Sequence, residues 1–293
     1  MADPPKNAYV VCGPTAGGKS GLADDLADIL TADRGEWAPT IVVDSVQVYR
    51  GLAGISNQAR RRPAELVGVV PVTERWTVAR HRRAAEAVIS ASISASGPTF
   101  VLDAGTGMYL NAVLLDVPLA PRVPEAVRKR AARESAGETN VRRSSREREL
   151  AMAGADERGS IWSGEPRYRT SLLYLRPERP ALDRAIALRS RKIASEGLGE
   201  AEALREMVEA GEDVNPSVLE AVGVRELLDH LSGRLTIAQA EDRIATRTRQ
   251  LARRQTRWFD KLARTLEGRA TVAVAENPSD PRVLHTMHDT MGA

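Results

Sequence analysis

The chain has 293 residues, 42% of them hydrophobic and 28% charged, the mix of an ordinary globular protein rather than of a disordered or fibrous chain. No run approaches the ~18 apolar residues of a membrane helix. The N-terminus has no basic segment followed by an apolar one, as a secretory signal would. The single cysteine, Cys12, excludes a disulfide framework and fits a cytoplasmic home. Net charge is +3 although the pI is about 9.2. The cations are nearly all arginine, with lysine only at positions 6, 19, 129, 192 and 261. They concentrate in one cluster at Arg142, Arg143, Arg146 and Arg148 and a denser one from Arg247 to Lys261. Such patches fit either solvated helix faces or a polyanionic partner.

In chain order, Asn7–Cys12 reads as a buried strand, and Gly21–Leu30 as a helix with Leu22, Leu26 and Leu30 on one face. Ile41–Asp44 is a second apolar run ending on a carboxylate, Trp76–Ile93 a helix, and Thr99–Asp103 a third strand. Strands alternating with helices predict a parallel sheet, whose ligands bind at the carboxyl ends of its strands. Chemistry is therefore expected at Gly13–Ser20, at Asp44 and at Gly105–Tyr109.

From Pro118 to Arg169 the chain becomes charged and proline-punctuated at Pro118, Pro121 and Pro124, an insertion of one or two solvated helices. Ser171–Leu175 reads as a strand returning to the sheet. Helices follow at Ala181–Glu196, Glu200–Ala210, Pro216–Leu231 and Ile237–Leu266, with Gly197, Gly211 and Gly233 at their ends. Ala270–Ala275 completes the list as an edge strand. The expected fold is an α/β protein: a P-loop NTPase-like parallel sheet core with a small helical insertion and a helical C-terminal region. Its parts are 1–117 (first part of the core), 118–169 (insertion) and 170–293 (remainder of the core and C-terminal helices).

Gly13-Pro14-Thr15-Ala16-Gly17-Gly18-Lys19-Ser20 satisfies G-x-x-x-x-G-K-[ST] between a predicted strand and a predicted helix. Its backbone N–H groups and the positive helix end suit a diphosphate or triphosphate. Lys19 is placed to neutralise the terminal phosphate, and the Ser20 hydroxyl to hold Mg²⁺. Asp44, at the end of the second strand, faces the same crevice. Its residue type alone leaves open a turn cap or a carboxylate that takes a proton or holds magnesium through water. On the last helix, Ile244, Leu251, Trp258 and Leu262 form one stripe, and Arg253, Arg257 and Lys261 another. The basic stripe suits a phosphate backbone.

Six blocks, in order, resemble the tRNA dimethylallyltransferases: GPTAGGKS, DSVQVYRGL from Asp44, AGTGMYLNAVL at 104–114, Leu182 to Arg189 with Gly197-Leu198, AVGVRELLDHLSG at 221–233, and TRQLARRQTRWF at 248–259. The resemblance implies that the loop grips dimethylallyl diphosphate and that the dimethylallyl group passes, with Mg²⁺, to N6 of an adenosine beside the tRNA anticodon. It makes Asp44 the general base, Thr106 a hydrogen-bond donor to the diphosphate and Arg189 the cationic clamp on it. Ser45, Gln47 and Tyr49 would meet the target adenine, flipped out of its stack. Arg249, Arg253, Arg254, Gln255, Arg257 and Trp258 would meet the tRNA anticodon arm. The protein is expected to be a monomer without a membrane partner.

The chain departs from the family pattern in two places. Where the family usually has Asp and then I-G-T-A-K-P, it reads Ala53-Gly-Ile-Ser-Asn-Gln-Ala59, keeping only the hydroxyl of Ser56, and Ala64–Gly68 replaces a histidine-rich segment. The 118–169 insertion lacks the D-P-x-x-A motif and is short, which implies a reduced clasp on the anticodon arm. Three alternatives stand beside the tRNA reading: a prenyltransferase for AMP or another free adenine nucleotide, a P-loop small-molecule kinase, and a non-catalytic RNA-binding paralogue.

Overall fold

The computed structural model describes residues 6–92, 99–119, 123–139, 141–154 and 160–278. Ile93, Pro121 and Asn140 lie outside the described residues, as do the side chains of Arg142 and Arg143. The strands are β1 (Asn7–Cys12), β2 (Thr40–Val43), β3 (Ala64–Glu65), β4 (Thr99–Ala104), β5 (Arg169–Leu175) and β6 (Thr271–Ala275). They form one sheet in the order β3-β2-β4-β1-β5-β6, and every pairing is parallel. Helices cover both faces of such a sheet, so its inner strands read as unbroken apolar runs. All six residues of β1 and of β4 are buried.

The helices are α1 (Lys19–Arg34), α2 (Ala53–Ser56), α3 (Val78–Ala91), α4 (Gly107–Leu114), α5 (Glu125–Glu134), α6 (Val141–Met152), α7 (Arg179–Glu196), α8 (Leu198–Glu209), α9 (Pro216–Leu219), α10 (Val224–Leu231) and α11 (Ile237–Leu266). The short strand β3 and helices α2 and α4 were not among the expected elements. The helix expected over Pro216–Leu231 is broken in two. Gly223 stands between the halves at φ 99°, and a Cβ there would lie 2.9 Å from both Ile55 and Ile193. The break lets α2 pack closely at that point.

α11 begins in a reciprocal cap: Thr236 Oγ1 accepts from the Gln239 amide at 3.2 Å, and Gln239 Oε1 accepts from the Thr236 amide at 2.8 Å. Its buried stripe runs through Ile244, Thr248, Ala252, Phe259, Leu262 and Leu266. Leu251 and Trp258, expected on that stripe, lie at its margin and are half-buried. Burial of a side chain such as Phe259 or Leu262 contributes ~1.5–3 kcal/mol, so α11 is fixed firmly against the sheet and α7.

In the insertion, α5 and α6 pack on one another and bury Ala131, Ser135 and Leu150 between them. Arg146 pairs with Glu149 at 2.7 Å and Arg148 with Glu138 at 2.5 Å. Those two arginines of the first basic cluster are therefore engaged within the insertion.

Candidate active site

The sheet register builds the site. Cys12 is opposite Ala104 and Tyr174, and Ala104 is also opposite Val43. The chain therefore leaves β1, β2, β4 and β5 at one level, and Gly13, Asp44 and Gly105 emerge side by side.

Gly13 to Gly18 form the loop and Gly18, at φ 84°, opens α1. The loop closes on itself through the Gly17 amide, which donates to the Pro14 carbonyl at 3.2 Å, and Ala16 takes a left-handed φ of 63°. Lys19 Nζ donates to the same carbonyl at 2.9 Å. Burial pushes the Lys19 ammonium below its ordinary pKa; the Asp103 and Asp44 carboxylates oppose that, and the charge of Arg189 reinforces it. The Ser20 hydroxyl, in the first turn of α1, has no hydrogen-bond partner among the described residues.

Asp44 Oδ1 accepts from the Val46 and Gln47 amides at 2.8 and 3.2 Å. This turn aims the other oxygen, Oδ2, at Thr106, whose hydroxyl lies 3.5 Å away and accepts from the Ser45 amide at 3.1 Å. Gly105 packs against Oδ2 so closely that a Cβ there would sit 2.6 Å from it. Arg189 projects from α7 with no ion pair among the described residues. Burial lowers its pKa, and Asp44 is the one charge opposing that shift. Lys19, Ser20, Asp44, Thr106 and Arg189 are thus gathered at one strand end. Gln47 stands beside them with its Oε1 buried and unpaired.

Other expected site residues face elsewhere. Tyr49 is in the core, 2% exposed, its hydroxyl accepting from Asn215 Nδ2 at 2.7 Å and from the Trp76 amide at 3.3 Å. Trp258 lies against Gly107, donates to Asn111 Oδ1 at 3.1 Å and stacks at a tilt on Trp162, 4.8 Å between ring centroids. Arg249 approaches Asp183 at 3.5 Å, and Lys261 covers Trp162 at 4.4 Å. Arg253, Arg254 and Arg257 are exposed and have no ion pair among the described residues. Gln255 turns inward: its Oε1 accepts from the Thr15 amide and its Nε2 donates to the Gly105 carbonyl, both at 2.8 Å.

The structure also reveals a group that sequence reasoning missed. Arg60, with 4% of its side chain exposed, pairs with Asp24 at 2.6 Å and Asp103 at 2.5 Å and donates to the Ser20 carbonyl at 3.2 Å. Burial opposes its charge, but the two carboxylates prevail and hold its pKa above the ordinary value. The available signal was the run Arg60-Arg61-Arg62 set against Asp24, Asp25 and Asp28 on one helix; Arg61 does pair with Asp25 at 2.8 Å, and Arg62 with Asp28.

The family model for IPP transferase matches residues 47–156 and 138–262. A tRNA dimethylallyltransferase of Rubrobacter xylanophilus is 59% identical over 97% of both chains. The chain belongs to the IPP transferase family. A tRNA dimethylallyltransferase of Thermobifida fusca is 34% identical over 85% of both chains. Among solved structures, the tRNA isopentenylpyrophosphate transferase of Bacillus halodurans superposes with a TM-score of 0.69 at 24% identity, covering 98% of this chain and 96% of that one. A eukaryotic dimethylallyltransferase acting on tRNA superposes with a TM-score of 0.72 at 20% identity, covering 98% and 77%. The fold is shared with these two structures. No helix among the described residues is long and apolar enough to cross a membrane.

Proposed function

We propose that this protein transfers the dimethylallyl group of dimethylallyl diphosphate to N6 of an adenosine beside the anticodon of tRNA, in the cytoplasm. The observation that carries this reading is the pairing of a cationic cradle with a carboxylate. Lys19, Arg189 and the Ser20 hydroxyl surround the loop, and Asp44 Oδ2 stands next to it. Few reactions need both a grip on a leaving diphosphate and an adjacent proton acceptor.

The loop amides and Lys19 hold the diphosphate. Arg189 and the Thr106 hydroxyl stabilise the charge that grows on it as the bond from the prenyl carbon to oxygen breaks. The adenosine N6 forms the new C–N bond, its proton passes to Asp44 Oδ2, and diphosphate leaves. Oδ1 is already held by two amides, which fixes the direction of Oδ2. Gln47 Oε1, buried without a donor, suits an N–H of the adenine, since an unmet acceptor costs stability until a donor arrives. No group of three His, Cys, Asp or Glu suited to a metal occurs among the described residues. The donor set fits Mg²⁺ all the same, because that ion binds through few protein oxygens, waters and substrate phosphates. The free Ser20 hydroxyl would hold it, and bound there it would neutralise the leaving diphosphate. The exposed Arg253, Arg254 and Arg257 supply a face for the RNA backbone.

The test offers purified protein, Mg²⁺ and labelled dimethylallyl diphosphate to unmodified tRNA and to AMP in parallel. Label is expected in tRNA alone. Label in AMP alone would make this a free-nucleotide prenyltransferase, and label in neither would remove the prenyl-transfer reading.

A further inference from the structure

α11 shows two different faces within six residues. Arg253, Arg254 and Arg257 point into solvent, whereas Gln255 and Trp258 point into the crevice wall. Gln255 uses both ends of its amide. Its oxygen takes the Thr15 N–H, so that loop donor is bound within the protein, and its nitrogen takes the Gly105 carbonyl. Gly105 precedes Thr106 and abuts Asp44 Oδ2. One side chain thus ties the loop that would grip the diphosphate to the turn that carries Thr106 and borders the base. The same helix turn presents the arginines to the acceptor. Below it, Tyr174 Oη donates to Asp260 Oδ1 at 2.9 Å and Arg176 Nε donates to the same atom at 2.9 Å. Those bonds fix the helix to the end of β5.

We propose that Gln255 is a positioning residue that couples RNA docking on the outer face of α11 to diphosphate grip by the loop, and that it does not itself contact the RNA. This rests on the tRNA reading above. Coupling between two sites requires a contact that both bias, and it is reciprocal. Gln255 is such a contact: it joins helix, loop and turn through two well-formed bonds, and its loss frees Thr15 and Gly105 from α11 together.

The test measures the affinity of inorganic diphosphate with Mg²⁺ by calorimetry, with and without saturating anticodon stem–loop RNA. It uses the whole protein and the variants Gln255→Leu and Gln255→Glu. In the unaltered protein the RNA should tighten diphosphate binding by at least about fivefold. In Gln255→Leu that tightening should vanish and kcat should fall about tenfold or more, with RNA affinity measured in the absence of diphosphate unchanged within about twofold. Gln255→Glu keeps the acceptor for the Thr15 amide but loses the donor to Gly105. It should retain part of the coupling, which also provides a readout should the leucine variant fold poorly. An unaltered protein in which RNA leaves diphosphate affinity unchanged would overturn the proposal. So would a Gln255→Leu variant that keeps full coupling, or one that loses RNA affinity as an arginine variant would. An unaltered protein that binds no tRNA at all would instead strike the function on which the proposal rests.

Discussion

Two arginines stand beside the phosphate loop, held there in opposite ways. Arg60 is saturated: two carboxylates and a carbonyl take up its guanidinium, and little of it meets solvent. Arg189 is unsaturated: it is half-buried and has no ion pair among the described residues. A saturated buried cation holds the protein together, because removing it strands the charges around it. An unpaired cation turned into a crevice is waiting for an anion. The same rule sorts the rest of the site. Tyr49 and Gln255 are spent on internal bonds. Asp44 Oδ2, to which the Thr106 hydroxyl donates across a long 3.5 Å, the Ser20 hydroxyl and Arg253, Arg254 and Arg257 are left for a ligand.

The contrast is sharpest in variants. Asp44→Asn should lower kcat for prenyl transfer by ~10²–10⁴-fold without changing the melting temperature, and near-normal turnover would remove Asp44 from the chemistry. Arg189→Met should lower kcat by ~10²–10³-fold, again with unchanged melting. Arg60→Met should do the reverse, costing ~3–5 kcal/mol in a denaturant titration because Asp24 and Asp103 are left buried and unpaired. An Arg60 variant of full stability, or an Arg189 variant that melts early, breaks the comparison.

Two smaller effects extend it. His81 is wholly buried, and its Nδ1 accepts from Trp76 Nε1 at 3.0 Å. Burial takes its pKa down from 6.5 to about 4. Between those values the unfolded chain binds more protons than the folded one, so stability is full above pH 6.5 and declines as the pH falls toward 4. Denaturation midpoints across that window should show the decline, and His81→Phe should remove that part of it. Replacing Arg253 and Arg257 together with alanine should raise KM for tRNA and make its salt dependence shallower by roughly 1.5 in the logarithmic slope. An unchanged slope would take the RNA off that face.

Much of this was legible in the residues. The loop motif, Asp44 and Thr106 each follow an apolar run short enough to be a strand, so their meeting at one sheet end follows from parallel topology alone. The 30 residues of α11 were legible from period and caps. What was not legible depends on distant partners. Arg60 meets Asp24 and Asp103 across 36 and 43 residues, and Gln255 meets Gly105 across 150. The basic run at 60–62 and the acidic face of α1 hint at the first meeting, but no local pattern reports the contacts with Asp103 or Gly105. Tyr49 misleads for a related reason: it sits in a motif that faces the crevice, yet a bridge to Val70 turns its ring into the core.

The insertion leaves and rejoins the core at one point. Leu115 forms an antiparallel bridge to Pro166, the Asp116 amide donates to the Glu165 carbonyl at 2.8 Å, and the Arg167 amide donates to the Leu114 carbonyl at 2.9 Å. With its ends sewn together, the segment between them is a detachable fitting. Closing a longer loop at such a seam costs only ~0.6 kcal/mol per doubling of length. Evolution or a protein engineer is therefore free to exchange the α5–α6 hairpin for a larger or smaller one while the sheet beneath keeps its register.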